Sequence, residues 1–519
     1  MAKAFYITTP IYYVNDRPHI GHASTTIWAD VQARYRRQLG EKTFFLTGLD
    51  EHGTKVQQAA EKRGVSSQQH CDEMAPHFRA LWKALNISND DFVRTTEPRH
   101  QEVVQQTLAE LHAKGALYKK KYKGWYSKSA EQFVTEKEMV DGRFPSHFGE
   151  MTELEEENYF FRMSDHQKWL VDYIGRHPDW IRPPNRRNEV LGTLQRPLDD
   201  LCISRPRARL SWGIPLPFDP DYVTYVWFDA LVNYISVPGY GADRFNQFWP
   251  ANFHLIAKDI LTPHAIYWPT MLHALGMEMP GCILAHGWWL FKREKMSKTL
   301  GNVVNPLDLI ARFGADALRY FVCRELQPAN DTDFSEERFL QRFNADLAND
   351  LGNLVNRSLS MLHRYRQGVV PSRGVDHSAD DDLRKTAAET FAAYHREMSS
   401  IAYDAALETI WKLVSRANRY VEETAPWKLA KNPSDAGRLD SALRLLLETV
   451  SAVAWCVAPF MPETSGKIMK QLAVDHLPEP KLQSLDALSS GLKIGQPAPL
   501  FPRHDPTTTQ TQAHSMTSP

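Results

Sequence analysis

Two short stretches of this chain carry side chains suited to gripping a nucleotide: His19-Ile20-Gly21-His22 and Lys295-Met296-Ser297-Lys298-Thr299. Imidazoles at the start of a helix sit beside backbone N–H groups that have no intrahelical partner, and that combination attracts triphosphate oxygens. The second stretch sets two ammonium groups and a hydroxyl on a loop closed by Gly301. A Lys-rich pentamer by itself also fits a solvated basic loop. In this order, and each at an element boundary, the two fit a clamp that holds a nucleotide from two sides.

The surrounding elements suit that use. Phe5-Tyr6-Ile7-Thr8-Thr9 reads as a strand stopped by Pro10, and the run after His22 lacks Gly and Pro until Gly40, so a helix opens at or near Gly21. Residues 42–48 read as a second buried strand, ending in Asp50-Glu51-His52-Gly53. Polar residues at the carboxyl end of such a strand are where an open parallel sheet binds ligands. Residues 116–220 turn charged and aromatic, with a mostly acidic run over 153–157; buried-strand composition returns at 222–227 and 253–256. The pattern predicts a doubly wound, parallel, Rossmann-like α/β domain split by an insertion. Its first half covers 1–115, the insertion 116–220, the second half 221–285, and a region bearing the lysine signature 286–335. From Phe334 the text is helical, and 336–496 reads as an α-helical bundle. Phe339, Phe343, Leu347, Leu351 and Val355 recur every four residues as the stripe of one long helix; further patterns cover about 381–425 and 435–460. The tail 497–519 is rich in Pro, Thr and Gln and reads as disordered.

Bulk properties narrow the class. A chain of 519 residues fits two to four domains, and 43% hydrophobic with 24% charged residues is ordinary for a globular protein. The net charge of -1 announces no global field for nucleic acid, so any RNA contact is local, and DNA is not expected as a partner. Cys71, Cys202, Cys282, Cys323 and Cys456 are scattered, which favours a reducing, cytoplasmic setting without disulfides. Met1-Ala2-Lys3-Ala4 leads straight into a strand and is not a signal peptide, and no run of about 18 apolar residues spans a membrane.

The pair of stretches resembles the two signatures of class I aminoacyl-tRNA synthetases, His-Ile-Gly-His and Lys-Met-Ser-Lys-Ser, with Thr299 keeping the last hydroxyl. The likeness narrows to the methionyl-tRNA synthetases through Pro10-Ile11-Tyr12-Tyr13, Tyr225-Val226-Trp227-Phe228-Asp229-Ala230, Lys258-Asp259-Ile260 with His264 and Tyr267-Trp268-Pro269, and Ala425-Pro426-Trp427. The resemblance implies a catalytic α/β domain followed by an anticodon-binding bundle. It also implies ATP-dependent attachment of L-methionine to tRNA(Met) through methionyl-adenylate, with AMP and diphosphate as products. No protein nucleophile is needed, so catalysis is positioning and electrostatic stabilisation.

By the same likeness the methionine side chain sits among Ile11, Tyr13, Trp227, Ala230, Leu231, Tyr234, His264 and Tyr267, with Asp50 accepting from its ammonium group. A thioether gains about 0.3–1.5 kcal/mol from each aromatic contact, and a phenol and an imidazole near the sulfur suit its weak acceptor. Trp227 and Tyr234 also fit plain core roles. The resemblance further implies that His19 and His22 donate to phosphate, that Gly21 lets adenine approach the backbone, and that Lys295 and Lys298 neutralise pyrophosphate with Mg²⁺. It also implies that Asp259 is an ATP ligand, although Ala257 stands where many members have Gly. Arg205 matches an adenylate contact at the rim and equally fits a surface salt bridge. Many relatives hold zinc in the insertion through paired cysteines; here Ser127 and Ala130 fall at such positions, His147 alone cannot build a tetrahedral site, and no zinc is expected.

Asn349, Asn353 and Arg357 recur two positions out of phase with Leu347, Leu351 and Val355, about 200° around a helix, and so face away from the core. The family reads its anticodon at matching positions together with Trp427. An ordinary polar face is the plainer alternative. The chain stops after the bundle and a tail, which leads to the expectation of a monomer. Isoleucyl, valyl and leucyl enzymes need a larger editing insertion than 116–220 holds, and cysteinyl enzymes need a cysteine-held zinc. A non-catalytic tRNA- or partner-binding relative would have no use for the triphosphate clamp.

Overall fold

The computed structural model describes residues 4–127, 132–134, 139, 143–145, 149–291, 294–295, 304–480 and 485–502. Its central sheet has six parallel strands: β1 (Phe5–Tyr13), β2 (Thr43–Asp50), β3 (Asp91–Arg94), β4 (Ile181–Arg182), β5 (Phe253–Ala257) and β6 (Ile283–His286). Across the sheet the order is β3-β2-β1-β5-β6-β4. The chain works outward from β1 to β3, then starts again beside β1 at β5. That reversal opens a crevice at the carboxyl ends of β1 and β5, where ligands bind in such sheets. The segment expected as a single insertion also supplies the edge strand β4, paired to β6.

Four helices matter to the site: α1 (Ile20–Gln38), α2 (Pro98–Ala113), α3 (Val226–Ser236) and α4 (Ala315–Glu325). Pro10 does not end β1. It removes one ladder donor, and the pairing to β2 resumes after a register shift between Thr8 and Ile11, which sets Tyr13 opposite Asp50. The run 222–227 does not form one strand either. An antiparallel strand Asp219–Thr224 ends there, and α3 begins at Val226 behind Tyr225 in extended conformation. A short run of aromatic and β-branched residues suits both elements, and periodicity alone does not choose between them.

In the insertion, strands Leu117–Ser127 and Met151–Phe161 pair antiparallel, with Lys121 opposite Glu157 and Lys123 opposite Glu155. The acidic run is thus the complement of a lysine-rich strand.

The bundle keeps its apolar stripe buried, but not on a single α-helix. Phe343–Gly352 form a wide i→i+5 segment between helices Glu336–Arg342 and Asn353–Arg366. Four residues advance about 400° on an α-helix, so a strict four-residue stripe drifts about 40° per step. The wider turn drifts the other way and keeps Leu347, Leu351 and Val355 on the core. The pattern at 381–425 is two helices, Ser378–Ser400 and Tyr403–Thr424, broken at Ile401, which is left-handed and buried. At the start of the tail Leu500 is buried and the Phe501 ring lies 5.8 Å from Phe343, while 503–519 lie outside the described residues.

α1 joins the sheet to the helices that follow it. Its Asp30 meets the fully buried Arg319 of α4 at 2.7 Å. Arg319 also donates to the carbonyls of Phe460 and Pro459 at 2.8 Å each. The Tyr403 hydroxyl donates to the Trp28 carbonyl at 2.8 Å.

Candidate active site

A chamber of about 1610 Å³ opens at the carboxyl end of the sheet, between β1, α1 and α3. The end of β1 lends it Ile11 and Tyr13, β2 lends Asp50, and the start of α1 lends His19, Gly21 and His22. α3 lends Trp227, Ala230, Leu231 and Tyr234 through the spacing of one helix face. Asp259, His264 and Tyr267 follow β5, and Arg205 comes from the insertion. Each of these residues lines the same chamber.

Two predicted cations stand apart from that list. Lys295 belongs to the short strand Glu294–Lys295 that pairs with Trp289–Phe291, and its side chain lies outside the described residues, as do Met296, Ser297, Lys298 and Thr299.

His19 caps α1. Its Nδ1 accepts from the Gly21 N–H at 3.0 Å, and His22 Nδ1 accepts from the His19 N–H at 3.1 Å. An N–H donor leaves the acceptor nitrogen bare, so in each neutral ring the proton sits on Nε2. The two rings lie 3.9 Å apart. A Cβ on Gly21 would stand 2.8 Å from His19 Cε1, so this glycine makes room for the folded-back imidazole.

On the α3 side of the chamber, His264 Nδ1 lies 2.8 Å from the Ile260 carbonyl, which can only accept, and the Tyr234 hydroxyl lies 2.7 Å from Nε2. The tyrosine therefore donates to the imidazole, and both polar hydrogens are committed within the protein. This differs from the expectation that the pair meets the sulfur as donors. Burial pushes the His264 pKa down to about 4, against the opposing pull of the Ile260 carbonyl, and burial raises that of Tyr234. Both groups are neutral near pH 7. His264 sits in a wide helical turn, Pro263–Tyr267, of the kind that recurs at functional positions.

Two supporting histidines were not marked by any sequence pattern. His254 on β5 stacks on Tyr234 at 4.1 Å and is held by Thr8 at 2.8 Å. His286, at the end of β6, lines the chamber and meets Thr25 of α1 at 2.7 Å. Both sit on strands whose neighbours are known only once the sheet order is seen.

Arg205 is 3% exposed, so it is no surface salt bridge. Its Nη1 donates to the Ser204 carbonyl at 2.7 Å, and its guanidinium lies 4.7 Å from the Tyr225 ring and 5.5 Å from that of Tyr126. Asp259 is exposed and accepts from Trp288 Nε1 at 3.2 Å. On the bundle, Asn353 is exposed, Asn349 and Arg357 are half-buried, and Arg357 pairs with Glu422 at 2.6 Å. Trp427 is among the exposed large apolar residues, on the short helix Pro426–Leu429.

Comparison with known proteins decides the family. The family described as tRNA synthetases class I (M) matches residues 5–153 and 147–359, and the anticodon binding domain of methionyl tRNA ligase matches 370–515. The chain belongs to the methionyl-tRNA synthetases. It is 44% identical over 512 residues to the methionine–tRNA ligase of Fusobacterium nucleatum, covering 97% of this chain and 80% of the relative. It is also 44% identical over 522 residues to that of Lactococcus lactis, covering 97% and 78%. Mycobacterium tuberculosis methionyl-tRNA synthetase in complex with methionyl-adenylate superposes with a TM-score of 0.90 at 39% identity, covering 96% of this chain and 100% of that one. The apo form of the same enzyme gives 0.86 at 35% identity, covering 98% and 99%. This family has a parallel-sheet catalytic domain and a helical anticodon domain, and the chain shows both.

Among the described residues no group of three or more His, Cys, Asp or Glu side chains is arranged to hold a metal, and no helix is long and apolar enough to cross a membrane.

Proposed function

We propose that the chamber is where this chain activates and transfers methionine, with each lining residue in the role its geometry suits. The chain attaches L-methionine to tRNA(Met) through methionyl-adenylate and uses ATP to do so. The observation that carries the site assignment is convergence. The capped imidazoles of α1 and the aromatic wall of α3, more than 200 residues away in sequence, face one crevice at the switch point of the sheet.

In this proposal Asp50 accepts from the methionine ammonium group, while Ile11, Tyr13, Trp227, Ala230, Leu231, Tyr234, His264 and Tyr267 enclose its side chain. A carboxylate oxygen of methionine attacks the α-phosphorus of ATP; the O–P bond forms as the bond to diphosphate breaks. The Nε2–H groups of His19 and His22 donate to phosphate oxygens, and Lys295 and Lys298 balance the departing charge. Gly21 and Asp259 hold the nucleotide, and Arg205 contacts the adenylate. A terminal ribose hydroxyl of tRNA(Met) then attacks the carbonyl carbon, and AMP leaves. Preorganised donors of this kind contribute about 3–4 kcal/mol each.

Mg²⁺ accompanies ATP in this reading. The exposed carboxylate of Asp259 fits it, because the ion keeps several waters and takes one or two carboxylates beside substrate phosphates. Bound there, it would neutralise phosphate charge. Asn349, Asn353, Arg357 and Trp427 form the anticodon surface of a bundle assigned to 336–496, with catalytic halves at 1–115 and 221–285 flanking the insertion. We assign the chain to the cytoplasm as a monomer; its five cysteines are all buried and unpaired, which suits a reducing compartment.

Exchange of labelled pyrophosphate into ATP tests the proposal. Exchange that requires methionine is expected. Exchange that ignores methionine but follows another amino acid would overturn it.

A further inference from the structure

Behind the wall that faces methionine lies a closed polar cluster that the chemistry above leaves unused. Asp229 on α3 is fully buried, two residues after Trp227 and next to Ala230. Its Oδ2 lies 2.6 Å from His52 Nδ1 and its Oδ1 2.7 Å from His100 Nε2. His100 Nδ1 in turn lies 2.9 Å from Ser236 Oγ at the far end of α3. His52 and His100 are also buried, and none of the three lines the chamber.

A carboxylate only accepts, so His52 must carry its proton on Nδ1 and His100 on Nε2. Burial alone would raise the Asp229 pKa; the two imidazoles overcome it and hold the carboxyl below its ordinary value. The cluster is therefore a charge fixed by two directional donors, and such bonds are short and orientation-dependent.

The partners come from three different elements. His52 lies two residues beyond Asp50 at the end of β2, and His100 sits in the first turn of α2. Asp229 sits in the first turn of α3, an acidic residue at the positive end of the helix. Apolar contacts alone would let α3 slide or roll against the sheet; bonds to both carboxylate oxygens do not. We propose that Asp229, held by His52 and His100, is a positioning residue for amino-acid recognition. It sets the separation between the ammonium acceptor Asp50 and the helix wall made by Trp227, Ala230 and Tyr234. The inference rests on the reading of the chamber given above.

The test uses the full chain and three variants: D229N, H100L and H100Q. Methionine and ATP are titrated separately in pyrophosphate exchange, with thermal unfolding measured in parallel. D229N and H100L should raise the KM for methionine about tenfold or more, within the roughly 100-fold that a remote 1 Å misplacement can cost, and leave the KM for ATP within about twofold. H100Q keeps an N–H able to reach Asp229 and should recover most of the loss. A merely structural role would move H100L and H100Q alike. A wild-type methionine KM in D229N, a joint rise of both KM values, or indistinguishable H100L and H100Q would overturn the inference. If D229N does not fold, the H100L and H100Q pair decides the question alone. Absence of methionine-dependent exchange in the unmodified chain would instead refute the chamber reading.

Discussion

Replacing Arg319 by methionine isolates the worth of one buried charge between catalytic core and bundle. The guanidinium meets Asp30 at 2.7 Å and donates to the carbonyls of Phe460, Pro459 and Leu85 at 2.8, 2.8 and 3.2 Å. Methionine has a similar length and adapts to irregular gaps, so the packing loss is small. What disappears is one partner of a buried ion pair, which costs about 3–5 kcal/mol.

The pH dependence gives the sharper test. Burial alone would raise the Asp30 pKa; Arg319, Arg34 and the donors of Ser88 outweigh it and hold the carboxyl below its ordinary 3.8. A group depressed in the folded state adds stability above its unfolded pKa and loses it as pH falls through the folded value. In R319M only Arg34 and Ser88 oppose burial, so the Asp30 pKa climbs and protonation relieves the variant as the pH falls. Urea unfolding should show the gap of about 3–5 kcal/mol at about pH 7.5 and a clearly smaller gap at about pH 4. Contributions from buried histidines are common to both proteins and cancel. A gap under about 1 kcal/mol at the higher pH, or one that does not change with pH, refutes the reasoning.

Three further outcomes follow from the same geometry. Gly21→Ala puts a Cβ 2.8 Å from His19 Cε1, so the ring must leave its capping position. The exchange kcat should fall about 10- to 100-fold with the methionine KM little changed, and an unaltered kcat would remove His19 from the proposed role. His264, depressed by burial to about 4 from 6.5, gives stability that is complete above pH 6.5 and lost as the unfolded chain takes up its proton on the way to pH 4. That amounts to about 3 kcal/mol; H264Q should show a flatter acid limb in unfolding midpoint against pH, and identical limbs would contradict it. Trp427→Ala, on an exposed surface, should leave exchange and stability unchanged and lower kcat/KM for charging tRNA(Met) about tenfold, the worth of one stacked base; equal loss in both assays would count against anticodon contact.

Features fixed by near neighbours could be read from sequence, and those fixed by distant packing could not. The helix start at Ile20 was anticipated to within one residue, because capping needs only His19, Gly21 and His22. Pro10 misled, since a missing N–H removes one ladder bond while the strand around it persists. The break at Ile401 carried no signal: neither Gly nor Pro marks it, and a buried isoleucine in the left-handed region is imposed by the packing of the two helices it joins. The Asp229 cluster was equally silent. Its bonds span 177 and 129 residues, and no local spacing encodes them.

In the proposed pocket, how methionine is told from its neighbours follows from where the polar hydrogens go. With the Tyr234 hydroxyl spent on His264 and His264 Nδ1–H spent on Ile260, no donor of this pair is left over for the sulfur. Length must then be sensed by shape, at about 1–3 kcal/mol per methylene. A hydrocarbon of the same length is a harder competitor, because only sulfur–ring contact, about 0.3–1.5 kcal/mol each, separates the two. Such contacts fall off steeply when a ring moves, so their sum depends on Trp227 and Tyr234 holding fixed positions. His254 stacked on Tyr234, and Asp229 tying α3 to His52 and His100 in the inference drawn above, supply that rigidity. In the proposed pocket, selectivity against an isostere therefore depends on His254 and Asp229, which do not line the chamber, and loosening either support should cost discrimination before it costs catalysis.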